Sequence, residues 1–556
     1  MRILFLARHY VYFRNYESVI ATLARKGHYL HLAVEREEQL GGSGLVERLA
    51  AEYPTITFGL APGRADTDDW AWIVGRLRLG LDYLRYLHPA FDRASKLRAR
   101  ARERTPGAFL LLGRVVEALG EWSRRAASAI VRRLERAVPS GDAVRAYLTA
   151  QAPDVLLLTP LIDLGSSQIE YLRDARALGI PTALCVWSWD HLSSKALIRE
   201  APDRIFVWNE TQKREAVELH GIPPDSVVVT GAQCFDQWFD RAPLRDRDTF
   251  CRERGFDPAR PIVLWVCSAL FAGSPVEASF VADWIRAIRR SVEPRLRDAN
   301  ILVRPHPSRV AEWEQVDVAS LGAVVWGGNP VDAQTRADYF DSLYHSAAVV
   351  GINTSAFIEA GILGRPVLAL VMPEFASNQT GTVHFRYLTD VAGGLLTLSH
   401  SLEEHLTQLD ECLATPPSGP RPFVQAFVRP HGLEVAATPL LSSEIEALAT
   451  VTPEPPAPAP SAFWTWAVRR LSQTRTQERL ERWTLSWRER DSAEHVREEQ
   501  RRKAIRRAEE RAAGDPARLA GLHRQTEALE NRRAQRLADQ QALEARWAAR
   551  DAELMQ

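Results

Sequence analysis

Alternating blocks of apolar and mixed residues divide most of the chain into two similar halves. In the first half, apolar runs predict buried strands at 2–7, 29–34, 154–158, 181–187, 203–209 and 226–231, with helical periodicity between them. The second half repeats this pattern, with apolar runs at 261–270, 300–307, 322–327 and at both ends of 349–370. Strands alternating with helices are typical of a parallel sheet covered on both faces. Each half therefore predicts a Rossmann-like α/β domain.

Two long segments interrupt this pattern. From about 70 to 150, apolar stripes with Arg-rich faces predict a helical insertion in the first domain. A closing helix near 441–450 is followed by a Pro-rich run at 451–460, which predicts an extended linker. Residues 461–556 predict a charged helical extension, either a hairpin or a coiled coil. The predicted boundaries are 1–240 for the first domain, 241–450 for the second, 451–460 for the linker and 461–556 for the extension.

Composition narrows the class of protein. A chain of 556 residues, 46% hydrophobic and 25% charged, is too long for one core and fits a multidomain globular protein. Five widely spaced cysteines without a C-x-x-C pair predict neither a disulfide framework nor a zinc site. The first residues lack a signal peptide, and no window is apolar enough for a membrane span. We therefore expect a cytoplasmic protein.

The Arg-rich amphipathic helices of the insertion leave one alternative open. Basic amphipathic helices can lie on anionic membranes, which would place the protein at the inner face of the plasma membrane as a peripheral protein. A solvated Arg face on an ordinary globular helix is the commoner explanation of the same pattern. In the extension, acidic residues are interleaved with the arginines. That interleaving favours self-association or a protein partner over nucleic acid.

The segment 349–370 carries the most informative motif. An apolar run ends in Asn353, Thr354 and Ser355, passes into the helical pattern AFIEAGILG and returns as a second apolar run. Such a turn leaves backbone N–H groups at the start of a helix, where Thr354 and Ser355 can cap the helix or bind an anion. Glu359 lies one turn further on the same face and suits hydroxyl groups. The motif predicts a phosphate site beside a hydroxyl-binding carboxylate, and an ordinary capped helix is the alternative.

The motif RPHP predicts a second part of that site. Arg304 ends a predicted strand, and its guanidinium fork fits phosphate oxygens bidentately. His306 lies between two prolines and can donate to a phosphate oxygen or a leaving group. Parallel strands bring their carboxyl ends to one edge of a sheet. We therefore expect both motifs to form one binding site for the same phosphate-bearing ligand. Ser268, Gln379 and His384 are further candidates for the rim of this cleft.

In the first domain, the loop WSWDHLSSK at 187–195 concentrates reactive groups after a predicted strand. Its two tryptophans offer faces for a sugar ring, and Asp190 and His191 are candidates for a general base and the residue that orients it. His9 follows the first strand and is a further catalytic candidate. The alternatives are structural packing by the tryptophans, an exposed Asp190 and a partly buried polar His9.

Two motifs bear on whether the protein binds a cofactor or a metal. The first motif is absent, and the second is weak. The first crossover lacks G-x-G-x-x-G, so no dinucleotide is indicated there. The D-x-D formed by Asp246, Arg247 and Asp248 lies in a mixed-charge connection and fits solvated charge better than a metal site. We therefore expect no resident cofactor and no metal.

Two Rossmann-like halves, RPHP and NTSAFIEAGILGRPV together resemble the GT-B glycosyltransferases. Within that superfamily the pattern is most similar to the branch of CDP-glycerol glycerophosphotransferases and capsule polysaccharide transferases, and it is related to the nucleotide-sugar 2-epimerase fold. The resemblance covers about residues 1–445. It implies a nucleotide-sugar or CDP-glycerol-like donor in the second domain, a glycan or lipid-linked acceptor in the first, and no required metal. The family's donor contacts would fall on Arg304, His306, Thr354, Ser355 and Glu359.

Three functions remain in competition. The leading hypothesis is a glycosyltransferase or glycerophosphotransferase that builds a cell-envelope polysaccharide. A nucleotide-sugar 2-epimerase or hydrolase would use the same fold. A non-catalytic scaffold acting through its helical tail would retain the fold without the chemistry.

Overall fold

In the computed structural model, the described residues are 1–36, 42–65, 68–92, 94–270, 274–415, 419, 421–473, 479 and 483. The chain divides into two compact units. The larger unit comprises 1–68, 89–100 and 139–458, and the helical unit comprises 69–88, 101–138 and 459–556.

The first sheet of the larger unit has seven parallel strands within the described residues, in the order β3-β2-β1-β4-β5-β6-β7. Its strands are β1 (Arg2–Ala7), β2 (Tyr29–Val34), β3 (Ile56–Leu60), β4 (Val155–Thr159), β5 (Thr182–Cys185), β6 (Arg204–Val207) and β7 (Val227–Val229). The register places Ile3 beside Val155 and Ala7 beside Thr159. Strands β4 and β5 are buried along their whole length, as expected where helices cover both faces.

The second sheet has six parallel strands in the described part of the chain, in the order β10-β9-β8-β11-β12-β13. Its strands are β8 (Ile262–Val266), β9 (Asn300–Arg304), β10 (Ala323–Val325), β11 (Ala348–Gly351), β12 (Val367–Leu370) and β13 (Leu396–Ser399). The order of the strands reverses between β8 and β11. The chain moves from β8 to β9 and β10 on one side, and from β11 to β12 and β13 on the other. In open α/β sheets, ligands bind outside the carboxyl ends of the strands at such a switch point.

Helices connect the strands and cover the sheets. The α-helices in the described residues are α1 (Glu17–Arg25), α2 (Ser43–Glu52), α3 (Ala71–Tyr86), α4 (Ser95–Arg104), α5 (Gly107–Leu119), α6 (Glu121–Arg136), α7 (Asp142–Gln151), α8 (Gln168–Ala177), α9 (His191–Ser194), α10 (Glu210–His220), α11 (Asp236–Phe239), α12 (Arg247–Arg254), α13 (Glu277–Arg289), α14 (Pro294–Arg297), α15 (Ala333–Tyr344), α16 (Ala356–Ile362), α17 (Tyr387–Asp390), α18 (Leu402–Ala414), α19 (Arg421–Phe427), α20 (Ala437–Leu448) and α21 (Ala462–Ser472). The 3-10 helices used below are Tyr10–Tyr16, Pro307–Gln315 and Pro373–Asn378.

The closing helix α20 returns to the first domain. Leu441, Ile445 and Leu448 recur at helical spacing and are buried in the core that contains β1 and α1. The Lys26 ammonium at the end of α1 lies 2.8 Å from the Glu446 carboxylate. The helix therefore ties the end of the second domain to the first.

The structure confirms the predicted fold class of two Rossmann-like α/β domains with a helical insertion in the first. The sequence pattern did not predict two strands, β3 and β13, and both lie at sheet edges. Most of their residues are partly or fully exposed instead of forming a buried apolar run. An edge strand covered on one side gives a weaker apolar signal than the fully buried central strands.

The helical unit contains most of the insertion and the first helix of the extension. Helix α21 packs on α3 and α6, and Val468 is fully buried in their shared core with Ile73, Val74 and Val131. The inner face of α21 therefore completes the core of the insertion. The predicted coiled coil or hairpin lies outside the described residues. In the larger unit, the linker begins along the first domain, where the Glu454 backbone N–H donates to Asp203 at 3.0 Å.

Candidate active site

The switch point of the second sheet is closed by a hydrogen bond between two loops. The Asn353 backbone N–H, just beyond β11, donates to Ser268 Oγ, just beyond β8, at 3.1 Å. Ser268 is fully buried, and its own N–H donates to Glu277 Oε2 at 2.9 Å. The expectation that Ser268 forms a cleft rim is therefore wrong, because its hydroxyl is used to join the strand ends below the cleft.

Arg304 lies at the carboxyl end of β9, next to this switch point. Its side chain is buried, Nη2 donates to the Gly328 carbonyl at 2.9 Å, and the guanidinium carbon is 4.7 Å from the centre of the Tyr339 ring. Burial lowers the pKa of Arg304, but the guanidinium stays charged at neutral pH. The buried Nη1 has no hydrogen-bond partner among the described residues. An unsatisfied buried cationic donor suits an anionic oxygen.

Glu359 lies beside Arg304, on α16. It accepts a hydrogen bond from the Tyr339 hydroxyl. Burial raises the pKa of Glu359 to about 7, although Tyr339, Arg14 and Arg304 favour the ionised form. The carboxyl group is therefore poised between its two protonation states near neutral pH.

Sequence reasoning missed Tyr339 and Arg14 at this site. Tyr339 comes from α15, a helix whose pattern gave no chemical signal. Arg14 is exposed on the 3-10 helix of the first domain and influences both Tyr339 and Glu359 electrostatically. The charged groups around Glu359 therefore come from both domains.

Thr354 and Ser355 lie at the same edge of the sheet as Arg304, as predicted. Thr354 Oγ1 accepts from the Ala356 N–H at 3.4 Å, and Ser355 is exposed. Within the described residues, the Ser355 side chain makes no capping hydrogen bond to α16. The sequence left two roles open for Ser355, a helix cap and an anion ligand. Among the described residues, its hydroxyl does not cap the helix. Its role as an anion ligand stays a prediction.

His306 is oriented by its own loop. Its Nδ1 accepts from the Ser308 backbone N–H at 3.2 Å and lies 2.8 Å from the Ser308 hydroxyl. Because Nδ1 is the acceptor, the ring hydrogen belongs on Nε2, which is then the donor. Burial lowers the pKa of His306, so the ring is neutral at pH 7. The neutral ring can donate a hydrogen bond from Nε2 to a phosphate oxygen without adding positive charge to the site.

Asp190 is held by its own loop in the first domain. Its carboxylate accepts from the Ser194 hydroxyl at 2.6 Å and from the Ser188 hydroxyl, and it lies 3.7 Å from the Lys195 ammonium. Burial raises the pKa of Asp190, but Lys195, His384 and the serine hydroxyls outweigh burial, so the pKa lies well below its usual range. Asp190 is therefore ionised at neutral pH.

The expected pairing of Asp190 with His191 is wrong. His191 is fully buried, and its Nε2 lies 3.0 Å from the Pro160 carbonyl, to which it donates. Burial lowers the pKa of His191 to about 3. The ring is therefore a neutral structural group beneath the loop, and it does not orient Asp190.

His384 of the second domain lies beside the loop that contains Asp190. Its ring meets the Trp189 ring edge to face, with centroids 4.8 Å apart, and it influences Asp190 electrostatically. The ring is buried, and Nδ1 has no hydrogen-bond partner in the described part of the chain. Burial lowers the pKa of His384 to about 4. His384 is therefore a neutral imidazole at a contact between the two domains and not a residue of the rim.

Gln379 has a structural position. It is fully buried, and its Nε2 donates to the carbonyls of Ile352 and Leu370 at 2.9 and 2.7 Å. These carbonyls end β11 and β12, and a buried carbonyl left unpaired is costly. The expectation that Gln379 forms a rim is therefore wrong, because its amide satisfies the strand ends.

His9 lies beyond β1, where its buried Nδ1 has no hydrogen-bond partner among the residues described. Charged residues that the sequence reading missed occupy the same edge of the first sheet. Arg8 pairs with Asp163, and Glu35 accepts from Gln168 Nε2 at 3.2 Å. Burial raises the pKa of Glu35. Their position directly after β1 and β2 was the available signal, because strand ends in α/β sheets carry binding groups.

Asp246 of the D-x-D triplet is a helix cap. Its carboxylate accepts from the Thr249 N–H at the start of α12, at 2.7 Å. A helix cap accounts for an acidic residue at this position without a ligand.

No known family model matches the chain, and no curated protein sequence matches it. A glycosyltransferase from Rickettsia africae ESF-5 aligns at a TM-score of 0.45 and 11% identity, over 81% of this chain and 98% of that chain. WaaG, a glycosyltransferase involved in lipopolysaccharide biosynthesis, aligns at a TM-score of 0.41 and 12% identity, over 80% and 99% of the two chains. The UDP-GlcNAc 2-epimerase of Methanocaldococcus jannaschii, solved with UDP-GlcNAc and UDP, aligns at a TM-score of 0.43 and 12% identity, over 80% and 99%. The structures similar to this chain thus include transferases and an epimerase.

Proposed function

We propose that this protein is a GT-B-type transferase that moves a sugar or a glycerophosphate from a nucleotide-activated donor to a glycan or lipid-linked acceptor. The observation that carries the proposal is the buried Nη1 of Arg304 beside the switch point of the second sheet, which has no hydrogen-bond partner among the described residues. A buried guanidinium with an unused N–H retains a donor that a diphosphate oxygen can satisfy. The exposed Ser355 hydroxyl and the Nε2 of His306 lie at the same edge and supply further donors.

In this proposal, Glu359 binds the ribose of the donor nucleotide. A carboxylate accepts hydrogen bonds from hydroxyl groups, and Glu359 already accepts one from Tyr339. Arg304 lies close enough to influence the pKa of this carboxyl, which supports a site that holds the ribose and the diphosphate together. Arg14 would complete the site from the first domain.

Transfer requires a base for the acceptor hydroxyl. Asp190 and His384 are the proposed candidates, because one is an ionised carboxylate and the other a neutral imidazole whose Nδ1 has no hydrogen-bond partner in the part of the chain that the structure describes. His9 remains a third candidate. The base takes the hydroxyl proton, and the acceptor oxygen forms a bond to the transferred group. For a sugar, the bond that breaks joins the sugar to the diphosphate, and a nucleoside diphosphate leaves; for a glycerophosphate, the bond that breaks lies within the diphosphate, and a nucleoside monophosphate leaves. The nucleotide leaves with that electron pair, and Arg304 stabilises the added charge more strongly in the transition state than in the bound donor.

The proposal is tested by binding a panel of nucleotides to the full chain with calorimetry and thermal shift. We expect UDP, CDP or GDP to bind and raise the melting temperature, and the matching monophosphate to bind at least about tenfold more weakly because it lacks the second phosphate. Arg304→Ala should weaken diphosphate binding by about tenfold to a hundredfold, whereas Arg304→Lys keeps the charge without the fork and should recover part of the affinity. The matched control is Arg286→Ala, an exposed arginine on α13 paired only with Asp283 in the described residues.

Activity assays then separate the competing functions. Nucleotide release from the donor only when an acceptor is present supports transfer. Release without an acceptor, or inversion at the sugar without release, assigns the site to a hydrolase or a 2-epimerase. No nucleotide binding to the wild-type protein would overturn the proposal and leave the scaffold function.

A further inference from the structure

Large apolar side chains are exposed on the helical unit. The exposed fractions are 75% for Trp122, 63% for Leu119, 63% for Trp466 and 60% for Phe463. Scattered exposed apolar residues are normal, but tryptophan and phenylalanine rings exposed to this degree on neighbouring helices mark a contact surface.

The exposed rings are a consequence of how α21 packs. Its inner positions Trp464, Val468 and Leu471 pack into the core shared with α3 and α6. The same helix then turns Phe463 and Trp466 outward, and their ring centroids lie 6.3 Å apart. Residues three apart lie on one side of a helix. Helix α21 therefore has two apolar faces, and among the described residues only one of them is covered.

The charge on these helices is positive. Residues 461–473 contain Arg469 and Arg470 and no acidic residue, and both arginines are exposed. On α6, Arg133 is exposed and lies 5.9 Å from the Trp464 ring, which joins the two helices. Both acidic residues of α6 are already paired: Glu135 is buried against Arg78 at 2.9 Å, and Glu121 pairs with Arg125 at 3.0 Å.

We infer that the exposed faces of α6 and α21 form a docking surface for an anionic lipid bilayer. The docking surface is defined by the residues Trp122, Arg125, Arg133, Phe463, Trp466, Arg469 and Arg470. Aromatic rings with a polar edge are favoured at the headgroup level of a bilayer, and arginines bind lipid phosphates. None of the described helices combines the length and the apolar character needed to cross a membrane, so the contact is interfacial.

Aliphatic neighbours distinguish a bilayer from nucleic acid as the partner. Val115 and Leu119 on α5 and Ile130 on α6 are also exposed. These side chains add apolar area that fits the boundary between headgroups and acyl chains, whereas they offer neither a stacking face nor a hydrogen bond to a base. Charge complementarity and apolar area together therefore favour the anionic bilayer.

The test is flotation of the full chain with vesicles of phosphatidylcholine containing 30% phosphatidylserine, compared with pure phosphatidylcholine. We expect binding to the anionic vesicles, weakened by added salt. The double variant Phe463→Ser, Trp466→Ser should lower vesicle affinity by about tenfold or more through lost apolar burial. Arg469→Glu with Arg470→Glu should lower it by about fivefold or more for each charge. Both variants should keep the wild-type melting temperature, because these side chains are exposed.

Matched controls are Val292→Ser and Leu244→Ser, which remove exposed aliphatic side chains from the larger unit and should leave flotation unchanged. The inference is overturned if the chain does not float with anionic vesicles, or if the aromatic and arginine variants float like the wild type. Equal binding to neutral vesicles would also overturn it. Self-association of the wild type that the aromatic variant abolishes would assign the surface to a second copy of the chain and would equally overturn it.

Discussion

Tyr339 donates its phenolic hydrogen to the buried carboxyl of Glu359. Burial raises the pKa of Glu359 from 4.5 to about 7, and the Tyr339 hydrogen bond works in the opposite direction. The folded protein therefore holds a proton that the unfolded chain loses near pH 4.5. Stability from this group is fully present below pH 4.5 and is lost as the pH rises to about 7.

The first prediction is that Glu359→Gln changes the pH dependence of stability. The neutral amide does not ionise, so between pH 4.5 and 7.5 the variant should gain up to about 3 kcal/mol relative to the wild type. Urea unfolding of both proteins at several pH values measures the difference. Tyr339→Phe is the matched variant: it removes the hydrogen bond that lowers the pKa of Glu359, so its loss of stability should move to higher pH. A difference between wild type and Glu359→Gln that does not vary with pH would show that Glu359 is solvated.

The second prediction concerns Gly327, which makes room for Arg304. Gly327 has φ +115°, and a Cβ there would lie 2.1 Å from Nη1 of Arg304. Gly327→Ala should therefore displace the guanidinium and lower nucleotide diphosphate affinity by about tenfold or more, as expected for a lost hydrogen bond to a charged group. Gly364→Ala is the control, because Gly364 has φ +68° and open space at Cβ. Gly364→Ala should lower the free energy of unfolding by a similar amount through backbone strain, and it should leave nucleotide diphosphate affinity unchanged. Equal affinities of the two variants would mean that the position of Arg304 does not matter for binding.

The convergence of Arg304 with Thr354 and Ser355 was predictable, because both motifs follow apolar runs that belong to one parallel sheet. The burial of Ser268 and Gln379 was not. Both satisfy backbone groups at strand ends, and the sequence does not reveal which polar side chains are used in this way. A polar residue after a strand is equally compatible with a cleft rim and with a buried backbone contact.

Contacts between the two Rossmann-like domains could not be predicted from the sequence either. His384 meets Trp189, and Arg14 influences Glu359, because segments of the two Rossmann-like domains that are far apart in sequence come together in the larger unit. Periodicity within one segment carries no information about such pairs. The Asp190 and His191 pairing failed for a related reason: adjacent residues at the start of the short helix α9 point to different sides, and His191 faces the core.

The third prediction identifies the base. Asp190→Asn, His384→Gln and His9→Gln should be compared for turnover and donor affinity with saturating acceptor. Replacement of the base should lower turnover by about two to four orders of magnitude and leave donor affinity nearly unchanged. If His384 is the base, activity should rise as the pH passes about 4, where its imidazole loses its proton, and then level off. His400→Gln, an exposed histidine in the second domain, is the control. Full turnover in all three variants would place the base elsewhere.

The fourth prediction tests the connection between the insertion and the extension. Val468 is fully buried in the core of the helical unit, where it packs with residues of α3 and α6. Val468→Ala removes two methyl groups and leaves a cavity, so it should lower the free energy of unfolding of the helical unit by about 2 kcal/mol. Thr465→Ala, at an exposed position three residues earlier in α21, should have little effect. Hydrogen exchange measured along the chain should show faster exchange in α3, α6 and α21 of the Val468 variant. Unchanged exchange in α3 and α6 would show that α21 does not contribute to their stability, and the extension could then be removed without loss.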